Sequence, residues 1–539
     1  MHKRMTFTAA ALIMGFTLLV AVIAVHMKSG GYAQAALRQS SRTITAAHAE
    51  GTIFDRNFVP LVNAETAHYA VVLPTPEALA ELLPHMESAQ DVIAGIRSNA
   101  PFSCRVDTDE FASEDIIVLD APLRRTHARL AQHVIGYTLE GEGVTGLESD
   151  YDSILRGTRD TADVTFAVNA VGDVLRGVPP EISPIGNLNG NVVTTLDAKI
   201  QRICEESAAD IEKGAVIVME VETGDILAMA SFPTYSPDDI AAALEDENSP
   251  LINRCLYTYS VGSIFKLMTA AATYTQGLTR YAAECTGKTE ISGQLFRCHD
   301  WRGHGMVDMR QAMIYSCNAY FVELSQFLQP DILRTTAQNF GFGTQIHLTS
   351  SIVSAGGNLP TQAQLELPAE KANFCFGQGF LTASPLQICQ MTCGIANDGE
   401  MPVARLISGY SLDGKTLENA KAPMYAKAIP RNAAYYLQGL MISAVNENEE
   451  SNAVPEHVFA AAKTSTAQTG RYDEDGTEYC HAWITGYFPI EAPQYAVTVL
   501  VEDGGYGNDA AAPIFREIAD RITVECGEGT IAEKILQNN

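Results

Sequence analysis

The stretch "YSVGSIFKLMTAAATY", residues 259–274, places a serine and a lysine three residues apart at the start of an apolar helix. Residues three apart on a helix share a face, so Ser263 and Lys266 are expected to be neighbours. Gly262 allows a sharp turn into the helix, whose unpaired N–H groups can support developing negative charge. Burial beside Phe265 would lower the pKa of the lysine, which lets its amine accept the serine proton. A lone S-x-x-K also fits a capping serine with a surface lysine, so this motif by itself decides little.

Two further motifs follow it along the chain. The segment "YSCNAYF", residues 315–321, supplies Ser316 and Asn318, and "AAAKTSTAQTG", residues 460–470, supplies Lys463, Thr464 and Thr466. The order S-x-x-K, S-x-N and K-T-x-T is the signature set of penicillin-binding proteins and serine β-lactamases. The ordered trio is a specific signal, although each motif is modest alone.

The chain resembles the class B penicillin-binding proteins, which are monofunctional peptidoglycan D,D-transpeptidases. The resemblance covers nearly the whole chain. It rests on the three motifs and on the following segments: "GTIFDRNFVPL" (51–61), "HVIGYTLEGEGVTGLESDYDSILRG" (133–157), "VVTTLDAKIQ" (192–201), "ETGDILAMASFPTY" (222–235), "GHGMVDMRQAM" (303–313), "GQGFLTASPLQI" (377–388) and "HAWITGYFP" (481–489).

The resemblance implies a role for each motif residue. Ser263 is the nucleophile that attacks a stem peptide ending in D-Ala-D-Ala, and Lys266 is its base. Ser316 and Asn318 complete the proton relay and hold the substrate amide, and Lys463 supports the relay electrostatically.

The third motif is expected to bind the substrate. Thr464, Ser465 and Thr466 would lie beside it, and the backbone N–H groups of Ser263 and Thr466 would form the oxyanion hole. Penicillin would mimic the D-Ala-D-Ala end and trap Ser263, and no cofactor or metal is implied.

Two positions depart from the family pattern. The third motif usually reads K-T-G or K-S-G, and this chain has Ser465 in place of the glycine. Because glycine allows close approach to a strand, we expect the Cβ of Ser465 to crowd the substrate edge and to affect β-lactam affinity. The usual Pro-Gly before the nucleophile is Val261-Gly262, which removes a rigid turn residue and no chemistry.

The N-terminus predicts the compartment. Residues 6–25 are apolar and uncharged, long enough to span a bilayer, and Lys3 and Arg4 precede them. The positive-inside rule then puts the N-terminus in the cytoplasm and the rest outside, as a single-pass plasma membrane protein. The alternative is a cleaved signal peptide, with "AQA" at 33–35 as its cleavage site.

Periodicity outlines the rest of the chain. It predicts a helix from residue 198 with Asp197 as N-cap, a hairpin over 214–232, two strands over 481–502 and a last helix near 511–522. We therefore predict an α+β chain in which a transmembrane helix and an elongated mixed pedestal precede a transpeptidase domain resembling serine β-lactamases. That domain would have an antiparallel sheet flanked by helices and an all-helical subdomain. The predicted boundaries are 1–27 for tip and anchor, 28–190 for stalk and pedestal, 191–526 for the transpeptidase domain and 527–539 for the tail.

Composition excludes other classes. With 36 basic and 64 acidic residues the formal charge is −28, which argues against nucleic acid as a partner. The eleven cysteines contain no C-x-x-C pair, so a zinc site is not expected. Cys285 and Cys298 are either a small extracytoplasmic disulfide or two unrelated thiols.

Three alternatives remain beside peptidoglycan cross-linking. A D,D-carboxypeptidase or β-lactamase would use water as acceptor, although the pedestal disfavours a simple β-lactamase. A non-catalytic scaffold for a glycan polymerase would explain Ser465, but the intact motifs oppose it. A β-lactam-sensing receptor would need a signalling module, for which the chain before the anchor is too short. The family implies a multi-pass, lipid-linked glycan polymerase as partner, without deciding between elongation, division and sporulation.

Overall fold

The structure is a computed structural model that describes residues 2–28, 40–87, 89–98, 100–124, 130–139, 141–157, 159–186, 188 and 190–527. The predicted cleavage site at 33–35, much of the predicted stalk and nearly all of the predicted tail lie outside these residues. The chain divides into two compact units. The first unit comprises residues 1–51, 62–126 and 158–188, and the second comprises 52–61, 127–157 and 189–539. These units divide the chain differently from the predicted domains, whose boundaries stay a prediction.

The N-terminal helix His2–Lys28 contains the predicted apolar segment. Its 22-residue stretch Arg4–Val25 is long and apolar enough to cross a membrane, and none of that stretch is buried. Exposed apolar side chains on every face are what a lipid-facing helix presents.

The first unit contains two three-stranded antiparallel sheets. One orders its strands as Ser41–Ala49, Asp160–Ala167 and Glu181–Ser183, and the other as Phe102–Val106, Glu65–Val72 and Ile116–Leu123. Besides the N-terminal helix, its helices are Pro76–Leu82 and Ala89–Ser98. Alternating apolar residues of both sheets form two small cores, as expected of strands with one buried face.

The second unit is built on a five-stranded antiparallel sheet, which we call the central sheet. Its order is Ile226–Phe232, Gly214–Glu220, Tyr495–Val501, Glu478–Phe488 and Ala461–Tyr472. The predicted hairpin and both predicted late strands are therefore present. Ala461–Tyr472, which carries the third motif, is an edge strand.

Helices cover both faces of the central sheet. The predicted helices are Ala198–Ser207, capped by Asp197, and Ala512–Arg521, and both bury apolar residues in one shared core with Val216 and Val499. Pro385–Ala396 lies on the opposite face, where the Cys389 thiol donates to the backbone oxygen of Ile217.

The remaining elements of the second unit are short. Its other helices are Gln132–Ile135, Gly146–Asp150, Asp152–Gly157, Ile240–Glu245, Lys266–Thr275, Met309–Ile314, Asn318–Leu324, Pro330–Asn339, Gln362–Leu365, Pro368–Cys375, Arg431–Asn446 and Gly507–Ala510, with 3₁₀ turns at Gly262–Phe265 and Ser325–Phe327 and a π turn at Ile522–Cys526. Its other strands are Ile53–Phe54, Thr138–Leu139, Glu142–Gly143, Asn191–Thr194, Tyr259–Ser260, Ala282–Cys285, Lys288–Ile291, Gln294–Arg297, Gly305–Asp308, Thr382–Ala383, Glu400–Pro402, Ile407–Ser411 and Tyr425–Lys427. The middle of the unit is mostly helical, as predicted, but it also contains short strand pairs between residues 282 and 308.

Candidate active site

Ser263 lies on a tight turn that leads into a buried helix. The turn is the 3₁₀ segment Gly262–Phe265, and the helix Lys266–Thr275 follows directly. Gly262 has φ +62°, and a Cβ added there would lie 2.4 Å from the Ser465 hydroxyl oxygen. Glycine is therefore required by both backbone conformation and space. Ser263 is half-buried, and none of the hydrogen bonds among the described residues uses its hydroxyl.

Lys266 is the centre of the polar cluster. Its fully buried amine donates to the Ser316 backbone oxygen at 2.7 Å, to Ser316 Oγ at 3.2 Å and to Asn318 Oδ1 at 2.8 Å. Burial, helped by the positive charge of Lys463, lowers the pKa of Lys266 to about 7. Near neutral pH a substantial fraction of this amine is uncharged and able to take a proton.

Ser316 joins the two lysines. Lys463 donates to Ser316 Oγ at 3.2 Å and to the Thr464 backbone oxygen at 3.0 Å, and burial lowers the pKa of Lys463 to about 8. Ser316 has φ +50°, a left-handed conformation that is uncommon outside glycine and is typical of functional sites. The three motifs, separated by up to 200 residues, thus meet at one hydroxyl.

The third motif alternates between two faces of its strand. Lys463 and Ser465 are buried, whereas Thr464 and Thr466 are half-buried. Ser465 donates from its hydroxyl to the Val261 backbone oxygen at 2.9 Å. The expectation that its Cβ crowds the substrate edge therefore needs correction, because the side chain points toward the turn before Ser263. The Thr466 hydroxyl accepts a hydrogen bond from the Gly507 N–H at 3.2 Å.

A cluster of three thiols and one imidazole lies directly beside the second motif. The ligand atoms of Cys285, Cys298, His304 and Cys317 all fall within 4.8 Å of one another, and Cys317 stands between Ser316 and Asn318. The Sγ atoms of Cys298 and Cys317 are 3.9 Å apart. His304 Nδ1 lies 3.5 Å from the Sγ of Cys285 and 3.6 Å from the Sγ of Cys298. Two ligands of a tetrahedral Zn²⁺ with the usual bond lengths lie about 3.8 Å apart when both are sulfur and about 3.5 Å apart when one is nitrogen.

These four residues could therefore hold Zn²⁺, a donor set found in structural zinc sites. The spacing argument against zinc overlooked the cluster, since its ligands are 13, 6 and 13 residues apart and are gathered by the fold. Cys285 and Cys298 are both free thiols here, so the predicted disulfide alternative is not what the structure contains. Hydrogen bonds with Cys317 and the two nearby histidines lower the pKa of Cys298, and the hydrogen bond with the Cys298 thiol raises the pKa of His304 to about 9.

Sequence reasoning named every residue of the polar cluster and missed the thiol cluster. The signal that could have found it is the concentration of three cysteines and two histidines within residues 285–317. It also missed the contact of Ser465 with Val261, because strand alternation alone does not say what faces each side.

The site combines a serine on a turn, a buried lysine of lowered pKa and a second lysine that shares one hydroxyl with the first, which are groups that serine acyl transfer uses. The sequence matches the family "Penicillin binding protein transpeptidase domain" over residues 214–520, and the chain belongs to that family.

Known relatives agree with this assignment. The peptidoglycan D,D-transpeptidase MrdA of Haemophilus influenzae is 28% identical over 414 residues, which cover 70% of this chain and 62% of the relative. The chain thus spans somewhat less than two thirds of that relative's length.

Solved structures share the fold. The ceftriaxone acyl-enzyme complex of penicillin-binding protein A from M. tuberculosis has a TM-score of 0.63 and 26% identity, and the match covers 75% of this chain and 93% of that chain. A chain in "Structural coordination of polymerization and crosslinking by a peptidoglycan synthase complex" has a TM-score of 0.70, 23% identity and coverage of 97% and 99%. The predictions of a class B penicillin-binding protein and of its fold are confirmed.

Proposed function

We propose that this chain cross-links peptidoglycan stem peptides by D-Ala-D-Ala transpeptidation through an acyl-enzyme on Ser263. The observation that carries this proposal is the convergence of Lys266 and Lys463 on Ser316 Oγ, next to the turn that bears Ser263. Serine acyl transfer needs a nucleophile, a base matched to the working pH and a proton path to the leaving group, and the cluster offers candidates for all three.

Acylation begins at the Ser263 hydroxyl. Its oxygen attacks the carbonyl of the penultimate D-Ala while its proton passes to the uncharged amine of Lys266. The resulting oxyanion is held by the backbone N–H groups of Ser263 and Thr466. The proton returns through Ser316, which Lys463 keeps polarised, to the nitrogen of the terminal D-Ala. That amine then leaves, and an ester on Ser263 remains.

The acceptor step runs in reverse order. An amine of a neighbouring stem peptide attacks the ester, its proton returns to the Ser263 oxygen, and an amide cross-link forms. The strand Ala461–Tyr472 supports this role because, among the described residues, it pairs with another strand on one side only, and an extended peptide could pair with the other side. Thr464 and Thr466 would contact the substrate's terminal carboxylate, and Asn318 would hold its amide.

Topology and partner belong to the same proposal. We infer a single-pass protein whose N-terminal helix anchors the catalytic unit outside the plasma membrane, supported by the apolar stretch Arg4–Val25 and by Lys3 and Arg4 at its N-terminal end. We infer a multi-pass glycan polymerase as partner. The pedestal segments resembling the family and the full-length likeness to a chain of a peptidoglycan synthase complex support this partner.

Labelling with a fluorescent penicillin tests the catalytic assignment. We expect one label per chain in the wild type and none in Ser263→Ala. Ser260→Ala, which removes a hydroxyl three residues earlier on the same segment, is the control and should be labelled. Wild-type protein that takes no label, or Ser263→Ala protein that does, would overturn it.

Product analysis separates the alternatives. Stem-peptide donor and acceptor strands should yield cross-linked dimers, and release of D-Ala without dimers would favour a carboxypeptidase. Rapid hydrolysis of the penicillin would favour a β-lactamase, and unchanged cross-linking in cells carrying only Ser263→Ala would favour a scaffold.

A further inference from the structure

The two residues before the Gly262 turn are each held through a backbone carbonyl. The Trp483 indole N–H donates to the Ser260 oxygen at 3.1 Å, and the Ser465 hydroxyl donates to the Val261 oxygen at 2.9 Å. Ser465 and Trp483 are cross-strand partners at one register position of the central sheet. This one cross-strand pair of the sheet therefore binds two consecutive backbone carbonyls of the segment that leads to Ser263.

The two side chains that donate these hydrogen bonds are buried. Trp483 is fully buried and Ser465 is 2% exposed, so their hydrogen bonds face little competition from water. A third hydrogen bond holds the other side of the turn, where the Gly262 N–H donates to the Gly377 backbone oxygen at 3.0 Å. A Cβ added to Gly377 would lie only 1.8 Å from the Gly262 oxygen. The turn is thus confined between the central sheet and the segment around Gly377.

Residue 465 is where this chain departs from the usual K-T-G motif. A glycine there offers no donor, so the Val261 oxygen would lose its side-chain partner. Serine at this position adds a hydrogen bond whose acceptor is two residues before the nucleophile. The space that its hydroxyl takes is the space that a Cβ on residue 262 would need, so Ser465 requires glycine at residue 262.

We propose that Ser465, together with Trp483, is a positioning residue that fixes the Ser263 turn in its acylation geometry by holding the carbonyls of Val261 and Ser260. The proposal rests on the proposed function of Ser263. In this proposal the serine of the K-T-S motif binds the backbone that leads to the nucleophile and does not contact the substrate. A small misplacement of a nucleophile is costly to rate because the reacting atoms must be aligned.

The test separates chemistry from binding. Stopped-flow labelling with a fluorescent penicillin gives the dissociation constant of the initial complex and the acylation rate constant. For Ser465→Ala we expect the rate constant to fall by about 3- to 10-fold, the range that one net hydrogen bond supplies, with the dissociation constant unchanged. Ser465→Gly, which restores the common motif, should lose at least as much. Trp483→Phe should act on the rate constant in the same way.

Thr498→Val is the matched control. It removes another buried hydroxyl of the central sheet, bonded to the Thr485 hydroxyl at 2.7 Å, and should lower the melting temperature without changing the acylation rate constant. Wild-type rate constants in both Ser465 variants, or a change confined to the dissociation constant, would overturn the positioning role. So would an equal loss of rate in Thr498→Val, since the effect would then follow general stability. A wild type that takes no label would instead contradict the proposed function.

Discussion

The pH dependence of acylation follows from the two buried lysines. Burial beside Lys463 lowers the pKa of Lys266 from its ordinary 10.5 to about 7. At pH 7 this raises the uncharged fraction of the amine by about 1,600-fold, from about three parts in ten thousand to about half. Since only the uncharged amine accepts a proton, the acylation rate should rise about tenfold per pH unit below pH 7 and level off above it.

The alkaline side of the pH profile depends on the charge of Lys463. Its pKa is lowered to about 8, so its positive charge is lost as the pH rises through that value. If this charge supports the proton relay, acylation should fall above pH 8 and the profile should be bell-shaped, with a maximum between pH 7 and 8. The penicillin carboxylate stays ionised throughout, because ordinary carboxyl groups titrate near pH 4.

Stopped-flow labelling between pH 5.5 and 9.5 measures this profile. Lys463→Arg keeps the charge at all these pH values, so it should retain the acid limb and lose the alkaline fall. Lys463→Met removes the charge that depresses the pKa of Lys266, so its acid limb should move to higher pH. A wild-type profile that is flat, or an acid limb with its midpoint near 10, would refute the assignment of Lys266 as base.

Further predictions concern stability, metal and packing. Between about pH 7 and pH 10.5 Lys266 binds fewer protons in the folded chain than in the unfolded chain, so burying this lysine costs most stability below pH 7 and the cost disappears as the pH rises through that range. The melting temperature of the wild type relative to that of Lys266→Met should therefore rise between pH 7 and pH 10.5. A difference in melting temperature that stays constant over this range would contradict the argument. Wild-type protein purified without chelator should carry about one zinc ion per chain by elemental analysis. The zinc content should be lower in Cys317→Ser and unchanged in Cys480→Ser, whose thiol lies outside the cluster. A chelator should lower the melting temperature of the wild type, and equal zinc content in all three proteins would exclude the site. Gly262→Ala should lose about 2 kcal/mol in chemical denaturation, because alanine would adopt a positive φ against the Ser465 hydroxyl. Adding Ser465→Gly should recover part of that loss, and a strictly additive double variant would show that the two positions do not interact.

The polar site was predictable because its residues belong to short local motifs, and the order of these motifs along the chain is specific. The hairpin over 214–232 and the helix capped by Asp197 were predictable from period and capping, which are local properties. The thiol cluster depends on strand pairs and a helix start that bring Cys285 and Cys317 together, which spacing does not encode. Ser465 was assigned to the substrate edge because the sequence gives the alternation of a strand and not the element that packs on each face.

The most direct test of the whole account is to find where penicillin becomes attached. The wild-type chain is incubated with penicillin and digested, and the acylated peptide is located by mass spectrometry. The account predicts a single adduct on the serine of the 3₁₀ turn Gly262–Phe265, absent when that serine is alanine. An adduct on any other residue would contradict it.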